Sequence, residues 1–376
     1  MILPPATLGM LGGGQLGRMF TIAARTMGYR VVVLEPDVHS PAGDIADEHV
    51  IAVYEDTAAL DNLARDCSAI TTEFENAPAG SLSALENRCI VRPAGDSVAI
   101  AQDRIREKTF LRGNGFPVGP FAVIDSGNPL PGAARDLHFP ALLKTARFGY
   151  DGKGQAKVFD LAEAQSIHAQ WKHVDCVLEE FLPLKCEVSV VLARGADGET
   201  CPFPIAENQH RNGILDVSIV PARVSSSVTE RAKTLAMQLA EKLNYVGILA
   251  VEFFVLDDDT LLINEIAPRP HNSGHYTIDA CRTSQFEQQV RTLCGLPLGD
   301  PSLHSPVVMV NLLGDVWANG EPDWDTVLRH PRAKLHLYGK RDARPGRKMG
   351  HFTVMGDTIE AALANAIQIK QDLGIP

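Results

Sequence analysis

Residues 6–35, ATLGMLGGGQLGRMFTIAARTMGYRVVVLE, contain the pattern of a strand, a glycine turn, a helix and a second strand. The apolar run at 6–11 predicts a short buried strand, and the three glycines after it predict a tight turn. Residues 16–27 carry apolar side chains at helical spacing, and 31–34 form a second apolar run of strand length. A helix between two buried strands is typical of a doubly wound parallel sheet, which we predict here.

The remainder of the chain divides into two further parts. Near residue 140 the pattern changes to strand, glycine loop, strand, and residues 229–243 form an amphipathic helix. We therefore predict an α/β and α+β protein. Its predicted parts are an N-terminal Rossmann-like domain at 1–100, a central region at 101–300 and a small strand-rich domain at 301–376.

The composition excludes several classes of protein. The chain has 376 residues, of which 45% are hydrophobic and 22% charged, as in an ordinary globular protein. A net charge of −11 disfavours nucleic acid and anionic lipid as partners. The seven cysteines are odd in number and lack metal-ligand spacing, so neither a disulfide framework nor a zinc site is expected. Without a signal-peptide pattern or a long apolar run, we expect a cytoplasmic enzyme.

The glycine turn at 12–17, GGGQLG, satisfies the GxGxxG pattern of dinucleotide sites. Glycines in such a turn let the backbone approach a pyrophosphate at a helix N-terminus, and Glu35 closes the second strand as the acidic residue of that pattern would. The same backbone also fits a turn beside one small phosphate or a polar ring. The motif alone therefore leaves a nicotinamide-dependent oxidoreductase open.

A second glycine-rich segment, FGYDGKGQ at 148–155, lies between two predicted strands. Its closely spaced glycines predict a mobile flap whose amides cover phosphates. Lys144 and Lys153 would supply positive charge on either side. No GKS or GKT follows, so the segment is not a Walker A loop. The alternative is a flexible exposed hairpin.

Two glutamates interrupt apolar strands in a predicted hairpin. If Asp258 and Asp259 form the centre of its turn, Glu252 lies directly opposite Glu265, with Cβ atoms about 5 Å apart. Such a pair of like charges destabilises a sheet unless a cation compensates, and oxygen ligands select Mg²⁺ or Mn²⁺. Asn264 adds an oxygen, although strict alternation points it to the other face. The alternative is an exposed hairpin with solvated glutamates.

Two polar segments complete the set of candidate motifs. RPHNSGH at 269–275 is too polar for a core and suits a ligand site. KRDARPGRK at 340–348 places five cations in nine residues of an acidic protein. That segment is either a solvated charge run or a local phosphate clamp. It is too short, and too poor in aromatic residues, to favour nucleic acid.

Together these motifs resemble the ATP-grasp superfamily, and most closely its 5-(carboxyamino)imidazole ribonucleotide synthases of purine biosynthesis. The resemblance covers most of the chain and rests on the joint order of GGGQLGRM (12–19), TEFEN (72–76), QDR (102–104), GYDGKGQ (149–155), EEF (179–181), ENQH (207–210), NEIAPRPHNSGH (264–275), YGK (338–340) and PGRKMGH (345–351). It implies that the first domain is a preATP-grasp domain. The central region would be an ATP-grasp domain with a small lobe at about 115–182 and a large lobe at about 183–300.

The resemblance implies ATP, bicarbonate and 5-aminoimidazole ribonucleotide as substrates on the route to IMP. The products would be ADP, phosphate and 5-(carboxyamino)imidazole ribonucleotide, with carboxyphosphate as the intermediate. It also implies Mg²⁺ (or Mn²⁺), a homodimer, and no nucleic-acid or membrane partner. The dinucleotide hypothesis is then replaced by a site for the aminoimidazole ribonucleotide. The alternatives are another ATP-grasp ligase, such as the formate-dependent glycinamide ribonucleotide transformylase, and a non-catalytic nucleotide sensor.

The resemblance further implies a role for individual residues. ATP contacts are expected from Arg104, Lys144, Gly149, Tyr150, Asp151, Gly152, Lys153, Gly154, Gln155, Glu179, Glu180, Phe181, Leu182, Glu187, His210, Asn264 and Glu265. Within this set, backbone groups of Glu179, Phe181 and Leu182 would line the adenine pocket, and Glu187 would hold the ribose. Ribonucleotide contacts are expected from Gln15, Leu16, Glu73, Asn76, Asn272, Ser273, His275, Lys340, Arg347 and Lys348. The metal would be held by Glu252 and Glu265, and the catalytic candidates are Tyr150, Lys153, Arg269 and His271.

Overall fold

A computed structural model of the chain describes residues 1–74, 77–147, 149 and 153–375. Its first sheet is parallel, in the order β3-β2-β1-β4-β5. The strands are β1 (Thr7–Leu11), β2 (Arg30–Leu34), β3 (Glu48–Val50), β4 (Ala69–Thr72) and β5 (Ile90–Val91). The helices around it are α1 (Gln15–Thr26), α2 (Thr57–Asp66), α3 (Ala79–Glu86) and α4 (Gly95–Ala101). The predicted doubly wound sheet is confirmed, and its first strand, helix and second strand each begin and end within one residue of the prediction.

The second sheet is antiparallel, in the order β6-β9-β7-β8. Its elements are α5 (Arg104–Gly113), β6 (Phe121–Ile124), α6 (Leu130–Ala133), β7 (Ala141–Thr145), β8 (Gln155–Val158), α7 (Leu161–Gln170) and β9 (Cys176–Glu180). Asp160 caps α7, because its side chain accepts a hydrogen bond from the Glu163 amide at 2.8 Å. The predicted glycine-rich flap joins β7 to β8.

The third sheet is the largest, with the strand order β15-β14-β10-β12-β13-β16-β18-β17 and β11 paired to β10. Its first elements are β10 (Cys186–Arg194), β11 (Thr200–Pro202), β12 (Ala206–Arg211), β13 (Ile214–Val220), α8 (Ser226–Lys242), β14 (Gly247–Val255), β15 (Leu261–Ala267), α9 (Thr277–Ala280) and α10 (Gln285–Cys294). Its last elements are β16 (Val307–Leu313), α11 (Asp325–Leu328), β17 (Ala333–Leu337), β18 (Lys348–Met355) and α12 (Ile359–Asp372).

The C-terminal strands continue this large sheet instead of forming a separate one. β13 pairs antiparallel with β16, from Val217 opposite Val310 to Val220 opposite Val307. Val217 and Ile219 pack in one apolar cluster with residues of β16, β18 and α12. The predicted boundary near residue 301 therefore lies in a connection within one continuous sheet.

Each part of the chain has an apolar core. Helix α8 packs its buried face, which includes Val228, Ala232, Ala236 and Leu239, against the large sheet. The first sheet buries Leu8, Met10, Val31 and Val33 against α1 and α10. Within the described residues, none of the helices has the length and apolarity needed to cross a membrane.

Candidate active site

A cleft of about 860 Å³ is lined by residues from all three parts of the chain. It brings together most of the residues predicted to form the site. Those lining it are Gln15, Leu16, Glu73, Arg104, Lys144, Gly149, Lys153, Gln155, Phe181, Glu187, His210, Glu252, Asn264, Glu265, Arg269, His271, Asn272, Lys340, Arg347 and Lys348. A volume of this size is ample for a nucleotide, since small-molecule sites are typically about 300–1,000 Å³.

Other predicted residues lie elsewhere. Gly154, Glu179, Glu180, Leu182, Ser273 and His275 are absent from the cleft wall. Asn76, Tyr150, Asp151 and Gly152 fall outside the described residues. Ser273 and His275 are completely buried, so direct contact between them and a ribonucleotide does not fit this structure.

The hairpin carrying the two glutamates has the predicted central pair but a different turn. Glu252 is opposite Glu265, as predicted. The predicted two-residue turn is wrong, because Val255 pairs with Leu261 and the turn between them is longer. The pairing register shifts by one residue between Glu252 and Phe253. Glu252 pairs with Glu265 and Phe253 pairs with Ile263, so Asn264 is an extra residue in β15 and forms a β-bulge. As a result, Asn264 and Glu265 both line the cleft, which strict alternation did not predict.

Three possible metal ligands lie close together beside this hairpin. Donor atoms of Glu187, His210 and Glu252 all lie within 4.8 Å of one another. In addition, His271 Nε2 lies 3.1 Å from Glu252 Oε1. Burial by itself raises the pKa of Glu252, but its hydrogen bond with His271 and the charge of His210 lower that pKa to about 2. Glu265, the other predicted ligand, is not one of these three, but it and Asn264 line the same cleft. The glutamates of this site offer the oxygen ligands that a divalent cation such as Mg²⁺ prefers.

A buried charge cluster joins the small sheet to helix α5 beside the cleft. Lys144 Nζ lies 3.1 Å from Glu179 Oε2, and Lys108 Nζ lies 3.4 Å from the same oxygen. Burial alone raises the pKa of Glu179, but the charges of Lys108 and Lys144 lower it to about 2. The Glu179 side chain thus positions lysines, a contact beyond the backbone role predicted for it.

The adenine wall was predicted from backbone groups of Glu179, Phe181 and Leu182, at the end of β9 and just after it. The Glu180 amide donates to the Pro120 carbonyl at 3.1 Å, and the Phe181 amide donates to the Pro140 carbonyl at 3.0 Å. Because these amides already have partners, an adenine contact would come from other groups of this segment. Phe181 itself lines the cleft and is 44% exposed, so its ring is available to a ligand.

The glycine loop of the first domain is occupied by the protein's own carboxylates. The Gly13 amide donates to Glu35 Oε2 at 2.8 Å, and the Gly17 amide donates to Glu73 Oε2 at 2.8 Å. The Gly14 amide donates to the other oxygen of Glu73. Two carboxyl groups therefore already accept from the loop amides that a dinucleotide would use for its pyrophosphate, which rules against the oxidoreductase hypothesis.

The same end of the cleft carries the basic segment of the C-terminal part. Lys340, Arg347 and Lys348 all line it, together with Gln15 and Glu73. Lys340 Nζ donates to the Lys348 carbonyl at 2.7 Å, which joins the two ends of the segment. A short cationic wall therefore faces the glycine loop across the cleft, as a phosphate clamp requires.

The polar loop at 269–275 is fixed by buried partners on several strands. Ser273 Oγ lies 2.8 Å from His271 Nδ1 and 2.7 Å from Ser189 Oγ of β10. Asn272 and Asn311 of β16 exchange two side-chain hydrogen bonds, at 3.0 and 2.7 Å. These contacts set the direction of His271 and Asn272, the two residues of the loop that meet the cleft beside Arg269.

Several residues of the site were missed by sequence reasoning. Further cleft residues are Phe74, Leu142, Leu184, Gly213, Ile214, Leu215, Phe254, Arg344, Pro345 and Gly346. Phe74 and 344–346 belong to motifs already identified, so proximity in sequence could have found them. Glu107 and Lys108 follow Arg104 by one helical turn, and that spacing was the available signal for the buried charges.

Comparisons with known proteins match this architecture. An ATP-grasp domain matches residues 109–286, and a ribonucleotide synthetase preATP-grasp domain matches residues 5–102. A phosphoribosylaminoimidazole carboxylase C-terminal domain matches residues 307–365. The fold and its cleft therefore define an ATP-grasp protein.

Relatives narrow the class further. N5-carboxyaminoimidazole ribonucleotide synthase of Bacillus subtilis is 45% identical over 355 residues, which cover 94% of this chain and 93% of the relative. A solved ADP complex of an N5-carboxyaminoimidazole ribonucleotide synthetase is 42% identical, with a TM-score of 0.92 and coverage of 100% of this chain and 98% of the other. The chain belongs to the N5-carboxyaminoimidazole ribonucleotide synthase family, the one its motifs resemble.

A third comparison concerns the ligands of a relative. The N5-carboxyaminoimidazole synthase of Aspergillus clavatus was solved with ADP and 5-aminoimidazole ribonucleotide. It is 29% identical to this chain, with a TM-score of 0.88 and coverage of 98% of each chain.

Proposed function

We propose that the protein carboxylates the exocyclic amine of 5-aminoimidazole ribonucleotide, with ATP and bicarbonate, in the biosynthesis of IMP. The observation that carries this proposal is the single cleft shared by Lys144 and Arg104, the glycine loop and the basic segment at 340–348. Such a cleft can hold a nucleotide and a second phosphorylated substrate side by side. Membership of the synthase family supports carboxylation over the formate-dependent alternative. We further propose a cytoplasmic homodimer.

The first chemical step is phosphoryl transfer. A bicarbonate oxygen attacks the γ-phosphorus of ATP, the bond to the bridging oxygen of ADP breaks, and carboxyphosphate forms. Positioning and charge neutralisation supply most of the catalysis in such a transfer. Lys144 and Arg104 neutralise phosphate oxygens, and Arg269 stabilises the transferring group. Glu252 and Glu265 would hold Mg²⁺, which when bound neutralises phosphate charge.

The second step transfers the carboxyl group. The exocyclic amine attacks the carbon of carboxyphosphate or of CO₂ released from it, phosphate leaves, and the amine loses a proton. Tyr150, Lys153 and His271 are the candidates for holding bicarbonate or CO₂. Carboxyphosphate hydrolyses readily, so the flap between β7 and β8 must exclude water while it is present.

Release of ADP tests this function directly. ADP would be measured with Mg²⁺-ATP and bicarbonate, with and without 5-aminoimidazole ribonucleotide. Strong stimulation by the ribonucleotide, with a bicarbonate-dependent product, is expected. Turnover with formate and glycinamide ribonucleotide instead would keep the fold and change the substrate. An absence of ATP turnover with any acceptor would leave a nucleotide-binding protein.

Replacing Lys348 by Ala is expected to raise the KM for 5-aminoimidazole ribonucleotide by about 10- to 100-fold, because a charged contact to phosphate is worth roughly 1.5–3 kcal/mol. Initial rates at saturating ATP measure this effect. Lys334→Ala, at an exposed position on β17 away from the cleft, serves as the control and should leave the KM unchanged. An unchanged KM in Lys348→Ala would show that this lysine does not belong to the clamp.

A further inference from the structure

Helix α5 presents three charged side chains at positions i, i+3 and i+4, on one face of the helix. Arg104, the first of them, donates to the carbonyl of Thr145, the last residue of β7, and to the carbonyl of Gly149 in the flap, at 3.2 Å each. The other two, Glu107 and Lys108, are 1% and 3% exposed. The proposed function uses Arg104 and gives no role to this buried acid and base.

Both buried side chains contact the bulge that turns Asn264 and Glu265 into the cleft. Lys108 Nζ donates to the Asn264 carbonyl at 2.8 Å. Glu107 Oε1 accepts from the Ile266 amide at 2.6 Å. A bulge disrupts the regular ladder of hydrogen bonds. These two bonds from α5 therefore bracket the irregular residues and fix the backbone on either side of Glu265.

Lys108 also sets the charge of the phosphate wall. It shares Glu179 with Lys144, and the group of two lysines and one carboxylate carries one net positive charge. Without Lys108, Glu179 would neutralise Lys144 alone and the net charge of the group would fall to zero. Lys144 would then be a weaker partner for phosphate oxygens.

We infer that Lys108 is a positioning residue for the reaction, which links the wall that faces the phosphates to the strand that carries the candidate metal ligands. It is absent from the cleft wall, so it acts through Asn264 and Glu179 and not through contact with substrate. The inference rests on the proposed function only where it assigns Lys108 a part in the reaction. Its two contacts can be tested by nucleotide and metal binding alone.

The test compares Lys108→Met with the double variant Lys108→Met/Glu179→Gln in the full chain. Calorimetry would measure ADP affinity without Mg²⁺, and the Mg²⁺ concentration that gives half-maximal tightening of ADP binding. Lys108→Met should weaken ADP binding about tenfold, and should raise the Mg²⁺ requirement about tenfold, as loss of an outer-shell partner does. The double variant, with the net charge of one restored, should recover ADP affinity but not the Mg²⁺ requirement, because the bond to Asn264 stays lost.

Two outcomes would overturn the inference: a folded Lys108→Met variant with both quantities unchanged, or a double variant in which both recover. If Lys108→Met fails to fold, the double variant is compared with Glu179→Gln alone, and only the variant that lacks Lys108 should show the raised Mg²⁺ requirement. Lys233→Met, at a half-buried lysine of α8 that pairs with Glu230 away from the cleft, is the matched control and should change neither quantity. Turnover of the wild-type protein with 5-aminoimidazole ribonucleotide is measured separately. Its failure would overturn the proposed function and leave this test intact.

Discussion

Replacing Glu265 by Ala is expected to lower kcat/KM for ATP by at least about 100-fold, because a bound metal ion stabilises phosphoryl transfer by several kcal/mol. Glu265 lies opposite Glu252 in the hairpin and lines the cleft beside Asn264. The loss should persist at saturating nucleotide and be relieved only in part by higher Mg²⁺. Initial-rate measurements across a Mg²⁺ series would show both effects.

The matched control is Glu230→Ala, which removes an exposed glutamate on α8 that forms an ion pair with Lys233. It should retain full activity. Near-wild-type turnover of Glu265→Ala at saturating Mg²⁺ would show that this glutamate is not a metal ligand. Because Glu265 is exposed, the substitution should leave the thermal stability close to that of the parent, and an activity loss can be assigned to the site.

Replacing Gly14 by Ala is expected to raise the KM for 5-aminoimidazole ribonucleotide about tenfold or more. A Cβ atom on Gly14 would lie 2.5 Å from Glu73 Oε1, closer than such atoms can approach. Glu73 would have to move and give up its hydrogen bonds to the Gly14 and Gly17 amides, each worth roughly 0.5–1.5 kcal/mol. The KM for ATP should change little, since the residues expected to contact ATP lie on the central part of the chain and not on this loop.

Gly80→Ala provides the control for this substitution. Gly80 lies in helix α3 with no atom within 4 Å of the added Cβ, so alanine should be neutral or stabilise the helix by up to about 1 kcal/mol. Equal effects of the two substitutions on the ribonucleotide KM would show that the contact between Gly14 and Glu73 has no part in binding that substrate.

Periodicity predicted the local elements because each depends on residues that are near in sequence. The strand–turn–helix at 7–26 follows from spacing alone. The pairing of Glu252 with Glu265 was predicted from a two-residue turn that is wrong, and it holds because the extra residue at Asn264 offsets the longer turn. The bulge at Asn264 could not be predicted in this way, since it depends on α5 packing beside β15. Likewise, the GxGxxG pattern predicts that a group comes close to the loop backbone, but it does not identify that group. In this protein the carboxyl groups of Glu35 and Glu73 bind the loop amides.

The charged residues of the site also differ in whether local sequence could identify them. Lys144 was identified from its place before the flap, whereas Lys108 reads as an ordinary helical lysine. Its importance arises only when Glu179, far along the chain, is brought between the two lysines. The buried pairing of Asn272 with Asn311 is another contact between distant segments that no local pattern indicates.

The pairing of β13 with β16 has a consequence for how this protein could be divided or recombined. A chain cut ahead of Val307 would leave β13 as an open edge, with Val217 and Ile219 stripped of their apolar cover. Open apolar edges recruit strands from other molecules, so such a fragment should self-associate. The C-terminal segment is thus not an exchangeable module, and a chimaera with a relative should keep β13 and β16 from the same parent.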